Sequence, residues 1–280
     1  MSVPPRQVPA EVLQLGSAGA YLSLRLRAPE LAAFQPGQFA AVAVGGRHTG
    51  MVLRRCFSLY AGDPGDGTVE VVFAVHGKGT AWLAELRPGD QVDVVGPLGR
   101  PFPLPARPGA AVLVGGGYGS APLFSLADVL HAAGGEAHLV VGAASADKLF
   151  FGEEAWQRCA SVTVTTDDGS AGVRGLVTDP LPELIARTGA TVLYACGPMA
   201  MLAACTAVAR EQGITAYTAV EEAMACGVGV CMTCVLPVVG DDGVTRMTRS
   251  CTAGPVFAGE TVRWADVGTV PTGTWGAGGH

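Results

Sequence analysis

Residues 221–234 read Glu-Glu-Ala-Met-Ala-Cys-Gly-Val-Gly-Val-Cys-Met-Thr-Cys, and a further cysteine follows in Arg-Ser-Cys at position 251. The spacing is C-x4-C-x2-C and then one distant cysteine, which is typical of the ligands of a [2Fe–2S] cluster. The predicted ligands are Cys226, Cys231, Cys234 and Cys251. Such a cluster moves one electron at a time, so this stretch predicts an electron-transfer protein.

The segment that carries these cysteines, residues 216–267, is short and rich in glycine. It is too small to hold a core alone, so we expect the cluster to act as its staple. Gly227 and Gly229 interrupt the cysteines, and glycine reaches backbone conformations that a β-carbon forbids. A zinc site is the alternative. Because zinc prefers paired C-x2–4-C knuckles, the x4 spacing favours an iron–sulfur cluster.

The composition limits the class of protein. The chain has 280 residues, of which 49% are hydrophobic and 15% charged, enough for two or three domains with a large core. A net charge of −6 argues against a nucleic-acid partner, which would need a basic surface. We find neither an apolar run long enough to span a membrane nor a secretory signal, and therefore expect a cytoplasmic protein. Its eight cysteines are not expected to form a disulfide framework in that compartment.

The chain divides by pattern into three domains and a tail. Short strands separated by Gly/Pro turns predict an antiparallel β-barrel over residues 1–103. A proline-rich connector follows, and then alternating strands and helices predict a parallel sheet with helices on both faces over 104–215. The cluster domain covers 216–267, and 268–280 is expected to be a mobile tail. The fold class is therefore multi-domain α+β.

Two motifs in the predicted barrel are candidates for cofactor binding. The first is Arg55-Cys56-Phe57-Ser58, and the second is a Gly-x-Gly-Thr turn that ends in Gly79 and Thr80 immediately before a helix. A helix N-terminus offers free N–H groups to a phosphate, so Gly79 and Thr80 are the expected pyrophosphate contacts.

Two further turns follow strands of the predicted parallel sheet. The glycine-rich turn after the strand at 110–114 opens a helix, which is the context for approach to a pyrophosphate; its glycines are Gly115, Gly116, Gly117 and Gly119. It departs from a dinucleotide fingerprint, since Ser120 replaces the third glycine and no acid ends the next strand. The second turn is Cys196-Gly197-Pro198. Residues 166–170, Thr-Asp-Asp-Gly-Ser, are either a surface loop or part of a motif.

These motifs in this order resemble the ferredoxin reductase-like flavoproteins. Within that family the chain is similar to the electron-transfer subunits of NAD-dependent, type B dihydroorotate dehydrogenases, from Arg55 to about Trp264. The Glu-Glu-x-Met-x-Cys block and the late Cys-x-x-Gly-Pro-Val-Phe are its most specific parts. Cys56 stands where a proline is usual, and Ala143-Ala144 replace a more polar pair. Because no arginine stands there to pair a 2′-phosphate, NAD is favoured over NADP.

The resemblance implies FAD, NAD(H) and a [2Fe–2S] cluster as cofactors. It implies that Arg55 meets the flavin pyrophosphate and that Ser58 and the neighbouring backbone lie along the flavin ring. The other flavin-side positions are Cys56, Phe57, Val72, Phe73 and Ala74, with Glu221 near the flavin. Cys196, Gly197 and Pro198 would line the nicotinamide site. The cofactors do the chemistry, so no catalytic side chain is assigned.

The resemblance also implies a partner and a function. An FMN-containing subunit would oxidise dihydroorotate, and this chain would pass the electrons to NAD⁺ in pyrimidine synthesis, as part of a two-plus-two heterotetramer. One alternative is a reductase subunit of another complex, such as a transhydrogenase, hydrogenase, sulfite reductase or oxygenase. A second is a non-enzymatic, zinc-stapled module on a decayed reductase scaffold.

Overall fold

The N-terminal part of the computed structural model is a closed six-stranded antiparallel barrel with strand order β1-β2-β5-β4-β3-β6. The model describes residues 4–46, 49–150 and 152–276, without the side chains of 153 and 154. The strands are β1 (Arg6–Ala18), β2 (Tyr21–Arg27), β3 (Phe39–Val42), β4 (Arg55–Asp63), β5 (Thr68–Phe73) and β6 (Gln91–Leu98), and helix α1 (Lys78–Leu83) follows β5. Leu24, Leu26, Val69 and Val71 fill the interior because alternate residues of a strand face the same side.

The second part is a seven-stranded sheet with order β10-β9-β8-β7-β11-β12-β15. Its strands are β7 (Ala110–Gly116), β8 (Glu136–Ala143), β9 (Ser161–Thr166), β10 (Val173–Arg174), β11 (Val192–Cys196), β12 (Thr215–Ala219) and β15 (Val256–Ala258). The first six in the sheet order are parallel, whereas β15 pairs antiparallel with β12. The helices are α2 (Ala121–Ala132), α3 (Glu153–Arg158), α4 (Leu181–Thr188) and α5 (Met199–Glu211).

Helices cover both faces of this sheet, as predicted. On β7, Ala111 and Leu113 pack into the same core as helix α2. Val112 and Val114 point the other way, into the core that contains helices α4 and α5. A strand buried on both faces is continuously apolar, which explains the Ala-Ala-Val-Leu-Val run of β7.

The cysteine-bearing segment is built into both larger parts. It contains the hairpin β13 (Val235–Val239) and β14 (Thr245–Arg249), and then helix α6 (Ser250–Ala253). Strand β15 of this segment extends the parallel-sheet domain, and the predicted boundary after residue 215 falls inside β12. The Arg100 N–H donates to the Gly254 carbonyl at 2.6 Å, which ties the segment to the end of the barrel.

The predicted fold class is confirmed, with a few differences in detail. Helix α1 begins and ends earlier than the predicted 80–86, and helix α4 was not predicted from the sequence. In the described part of the tail, Thr274 is buried and the Trp275 N–H donates to the Thr245 carbonyl at 2.8 Å. Residues 277–280 of the tail lie outside the described residues. Across the described chain, the helices fall short of the length and apolar character that crossing a bilayer requires.

Candidate functional site

A cavity of about 290 Å³ lies between the barrel and the parallel-sheet domain, and we call it the flavin cavity. Most of the residues predicted to contact flavin line it: Arg55, Cys56, Phe57, Ser58, Val72, Phe73, Ala74, Thr80 and Glu221. Gly119, Cys196 and Gly197, predicted for the nicotinamide side, also line it. Residues far apart in sequence thus converge because the two domains meet at this cavity.

Arg55 and the start of helix α1 lie against each other on the barrel side. A β-carbon on Gly79 would fall 2.6 Å from Arg55 Nε and 2.8 Å from its Cζ and Nη2, so only glycine leaves room for the guanidinium. Thr80 Oγ1 fixes the turn by accepting the His76 N–H at 2.9 Å and the Gly77 N–H at 3.2 Å. A planar guanidinium beside this turn is suited to a pyrophosphate.

The flavin cavity also contains residues that the sequence did not indicate. They are Phe39, His76, Tyr118, Ala121, Ala219, Val220, Glu222, Met224 and Pro255. Of these, Tyr118 had a visible signal, since it is an aromatic residue inside a run of glycines. Its hydroxyl donates to Glu221 Oε1 at 3.4 Å. Burial, and then the Glu221 carboxylate, raise the pKa of Tyr118 to about 12.

A second cavity, of about 470 Å³, lies at the carboxyl ends of the parallel strands, and we call it the nucleotide cavity. Gly116, Gly117 and Pro198 line it, and Tyr118 lines both cavities. Gly115 does not line either cavity among the described residues. Its role is packing, since a β-carbon there would lie 2.3 Å from Ser120 Cβ. The site lies where ligands bind in open α/β sheets, outside the carboxyl ends of the strands.

The two turns around the cavities pack on each other. A β-carbon on Gly116 would lie 2.8 Å from Pro198 Cδ, and one on Gly119 would lie 2.8 Å from Gly197 Cα. Gly117 has a φ of 54°, which favours glycine. The glycines at these positions therefore permit close contact between the turns, in addition to any ligand contact.

The predicted cluster ligands approach as two pairs. The side chains of Cys226 and Cys231 hydrogen-bond to each other, and so do those of Cys234 and Cys251. Cys231 is exposed, whereas Cys234 and Cys251 are buried. Among the His, Cys, Asp and Glu side chains that the structure describes, no three form a site for a single metal ion. Two thiol pairs match a cluster of two irons, which takes four cysteine ligands.

The exposed pair is biased towards thiolate, the form that binds metal. Side-chain and backbone hydrogen bonds from Thr233 lower the pKa of Cys231 to about 6. Burial opposes ionisation of Cys226, but backbone N–H groups of Cys231, Val228 and Val230 bring the pKa of Cys226 below its usual value. The Val230 N–H points at Cys226 Sγ from 3.3 Å. Positive φ angles at Gly227, Gly229 and Met232 shape this loop.

A buried hydroxyl beside the second pair also fits a bound cluster. Ser250 precedes Cys251 and is fully buried, and its N–H donates to the Cys234 carbonyl at 2.9 Å. Its Oγ has no hydrogen-bond partner among the described residues. A buried donor left unpaired is costly, so a sulfur acceptor beside it would remove a penalty. The thiols, backbone donors and this hydroxyl therefore suit a [2Fe–2S] cluster.

Cys56 connects the flavin cavity with the cysteine pairs. It lines the flavin cavity and packs in one apolar cluster with Cys234 and Cys251. A β-carbon on Gly227 would lie 3.0 Å from Cys56 Sγ. Burial, followed by the charges of Cys251, Cys226 and Cys234, raises the pKa of Cys56 to about 12. The predicted flavin and cluster sites are therefore direct neighbours.

Three family models match successive parts of the chain. An oxidoreductase FAD-binding domain matches residues 11–102, and an oxidoreductase NAD-binding domain matches 113–207. The iron–sulfur cluster binding domain of dihydroorotate dehydrogenase B matches 221–263. The predicted cofactors FAD, NAD(H) and an iron–sulfur cluster are thereby confirmed, and the zinc alternative receives no support.

Curated relatives agree with these models. The chain is 42% identical over 233 residues to the dihydroorotate dehydrogenase B (NAD(+)) electron transfer subunit of Geobacillus thermodenitrificans, covering 81% of this chain and 87% of the relative. The subunit of the same name from Bacillus caldolyticus is 44% identical over 231 residues, with the same coverage.

Solved structures show the same fold. A chain of the NADH-dependent reduced ferredoxin-NADP oxidoreductase superposes with a TM-score of 0.80 at 30% identity, covering 92% of this chain and 91% of that one. The ferredoxin reductase of carbazole 1,9a-dioxygenase gives a TM-score of 0.65 at 22% identity, covering 76% and 68%, and shows the fold alone. With the relatives and domain models, the chain belongs to the family of electron-transfer subunits of NAD⁺-dependent dihydroorotate dehydrogenase B.

Proposed function

We propose that this chain relays electrons between an FMN-containing dihydroorotate dehydrogenase subunit and NAD⁺, through a [2Fe–2S] cluster and FAD, in pyrimidine biosynthesis. The linear order of the sites carries this proposal. Tyr118 borders both the nucleotide and flavin cavities, and Cys56 borders both the flavin cavity and the cysteine pairs. When bound, the flavin supplies exchange of a hydride with nicotinamide and of single electrons with the cluster.

The side chains supply position and charge in this proposal. Arg55, Gly79 and Thr80 hold the flavin pyrophosphate, while Cys56, Phe57, Ser58, Val72, Phe73 and Ala74 border the ring and Glu221 lies on the far wall. Gly116, Gly117, Gly119, Cys196, Gly197 and Pro198 contact the dinucleotide, and Gly115 supports that turn. Cys226 with Cys231 and Cys234 with Cys251 hold the cluster.

The cysteine loop is the proposed contact with the FMN subunit. Val228, Val230 and Met232 are exposed by 47%, 80% and 50% around the predicted cluster ligands. Apolar side chains clustered on one loop favour a protein contact, and electron exchange requires a cluster near the surface. We place the complex in the cytoplasm as a two-plus-two heterotetramer.

A second candidate is a subunit of a flavin-based transhydrogenase. The observation that favours it is the TM-score of 0.80 over 92% of the chain to the NADH-dependent reduced ferredoxin-NADP oxidoreductase. The 42–44% identities and the iron–sulfur domain model favour the dihydroorotate-linked role. The partner decides between them, because both roles use the same domains in this chain.

Co-purification with the neighbouring FMN subunit and an assay of dihydroorotate-dependent NAD⁺ reduction test the proposal. We expect activity in the complex and at least a roughly hundredfold loss in Cys231→Ser, because a cluster ligand is lost. NADH reduction of the bound flavin should survive in that variant, which is the internal control. A Cys231→Ser complex with unchanged dihydroorotate-dependent activity would refute the electron path.

A further inference from the structure

The usual acid that recognises the adenosine ribose in a dinucleotide site is missing from this chain. That acid ends the second strand of the domain and binds the ribose 2′-hydroxyl. Here the second strand is β8, and the chain continues from it as Gly142-Ala-Ala-Ser145. Discrimination between NAD and NADP must therefore have another source if the cavity is selective.

The neighbouring strand supplies a carboxylate at the same edge. Strand β9 is parallel to β8, and Thr166 pairs with Ala143 at their carboxyl ends. The next residue, Asp167, donates its N–H to the Ala143 carbonyl at 3.1 Å, which fixes it beside the end of β8. Asp167 is exposed and lines the nucleotide cavity. The acid is thus displaced by one strand across the sheet.

The charges of the cavity are separated. Among the described residues that line it, Asp167 and Lys148 are the charged ones. Lys148 lies beside the glycine-rich turn, because its carbonyl accepts the Tyr21 hydroxyl at 2.7 Å and stands 3.7 Å from where a β-carbon on Gly117 would be. A cation at the phosphate-binding turn and an anion at the strand end suit a dinucleotide with a free 2′-hydroxyl.

We infer that Asp167 makes this cavity selective for NAD(H) over NADP(H), by accepting a hydrogen bond from the ribose 2′-hydroxyl and repelling a 2′-phosphate. The inference rests on the proposed function only in taking the cavity to bind a nicotinamide dinucleotide. A 2′-phosphate adds a charge of about −2 next to the carboxylate. Such a pair at a solvent-exposed site repels by an amount that salt reduces.

Asp168 provides a matched control one residue further on. Its carboxylate accepts the Ser170 N–H at 2.9 Å and the Ser170 hydroxyl at 2.6 Å, so it holds the turn together. It is not among the described residues that line the nucleotide cavity. Asp168→Asn removes the same charge as Asp167→Asn from the same loop and keeps an oxygen that can accept both bonds.

The test is calorimetric titration of the FAD- and cluster-loaded chain with ADP-ribose and with 2′-phospho-ADP-ribose, which needs no turnover. In the wild type we expect ADP-ribose to bind at least about tenfold tighter, and the ratio to shrink as salt increases. Asp167→Asn should lose most of this ratio, with tighter binding of the phosphorylated compound and roughly fivefold weaker binding of ADP-ribose. Asp168→Asn should keep the wild-type ratio.

Each other outcome has a defined meaning. An unchanged ratio in Asp167→Asn, or an equal change in Asp168→Asn, overturns this inference while leaving the nucleotide cavity in place. A wild type that prefers the phosphorylated compound also overturns it. A wild type that binds neither compound overturns the assignment of the cavity, and with it both this inference and the proposed function.

Discussion

At the scale of single residues, the Ser250 hydroxyl is positioned to respond to what the cysteines hold. It is fully buried beside Cys251, and its Oγ has no partner in the described part of the structure. Hydrogen bonds to the sulfurs are among the factors that set an iron–sulfur potential. A donor stabilises the reduced, more negative cluster, so the hydroxyl should raise the potential.

Ser250→Ala should therefore shift the cluster midpoint potential to a more negative value, without loss of flavin or cluster. An EPR-monitored redox titration of the purified protein measures this. Thr165→Val is the matched control, because Thr165 Oγ1 is also buried and unpartnered but lies on β9, away from the cysteines. An unchanged potential in Ser250→Ala would show that the hydroxyl does not reach the cluster.

At the scale of elements, the turn before helix α1 depends on one glycine and tolerates change at another. Gly79 is buried against the Arg55 guanidinium, whereas a β-carbon on Gly77 would meet nothing within 4 Å. Gly77 is extended, with a φ of −171° that any residue can adopt. The two glycines of the same motif thus have different roles.

Gly79→Ala should displace the Arg55 guanidinium and weaken FAD binding by roughly tenfold or more, which is the loss expected for a hydrogen bond to a charged group. Gly77→Ala should bind FAD like the wild type. FAD titration of the flavin-stripped protein, followed by flavin fluorescence, measures both affinities. Equal affinities in the two variants would contradict the proposed role of Arg55.

Elements with a strong local pattern could be predicted, and those defined by tertiary contact could not. The Gly-x-Gly-Thr turn, the Cys-Gly-Pro turn and the cysteine spacing are local and were visible in sequence. Strand β15 has three residues and pairs with β12 only because the chain returns to the sheet, so no periodicity indicates it. Met224 and Pro255 line the flavin cavity for the same reason. Asp167 looked like a loop residue because its position relative to β8 depends on strand pairing.

At the scale of the whole molecule, the three sites follow one another from the nucleotide cavity to an exposed loop. Strand β10 is one edge of the seven-stranded sheet, and β15, from the cysteine segment, is the other. The exposed Val230 therefore lies on a different end of the molecule from the exposed Val173 of β10. This asymmetry makes the proposed docking face separable from the rest of the surface.

Val230→Glu should weaken binding to the FMN subunit by at least about tenfold, because it places a charge in an apolar contact. Val173→Glu, the control on the opposite edge, should bind normally. Surface plasmon resonance gives the affinities, and absorbance spectra verify that both variants keep flavin and cluster. Normal binding by Val230→Glu would move the partner site elsewhere.

The wall of the flavin cavity has a consequence for assembly. Ala219, Glu221, Met224 and Pro255 belong to it, and they flank the segment that carries Cys226 and Cys251. A ligand that binds only the ordered form of a segment stabilises that form. Filling either site therefore pre-orders part of the other, and by reciprocity the two occupancies rise and fall together. The chain is built to mature cooperatively, so half-loaded molecules should be scarce.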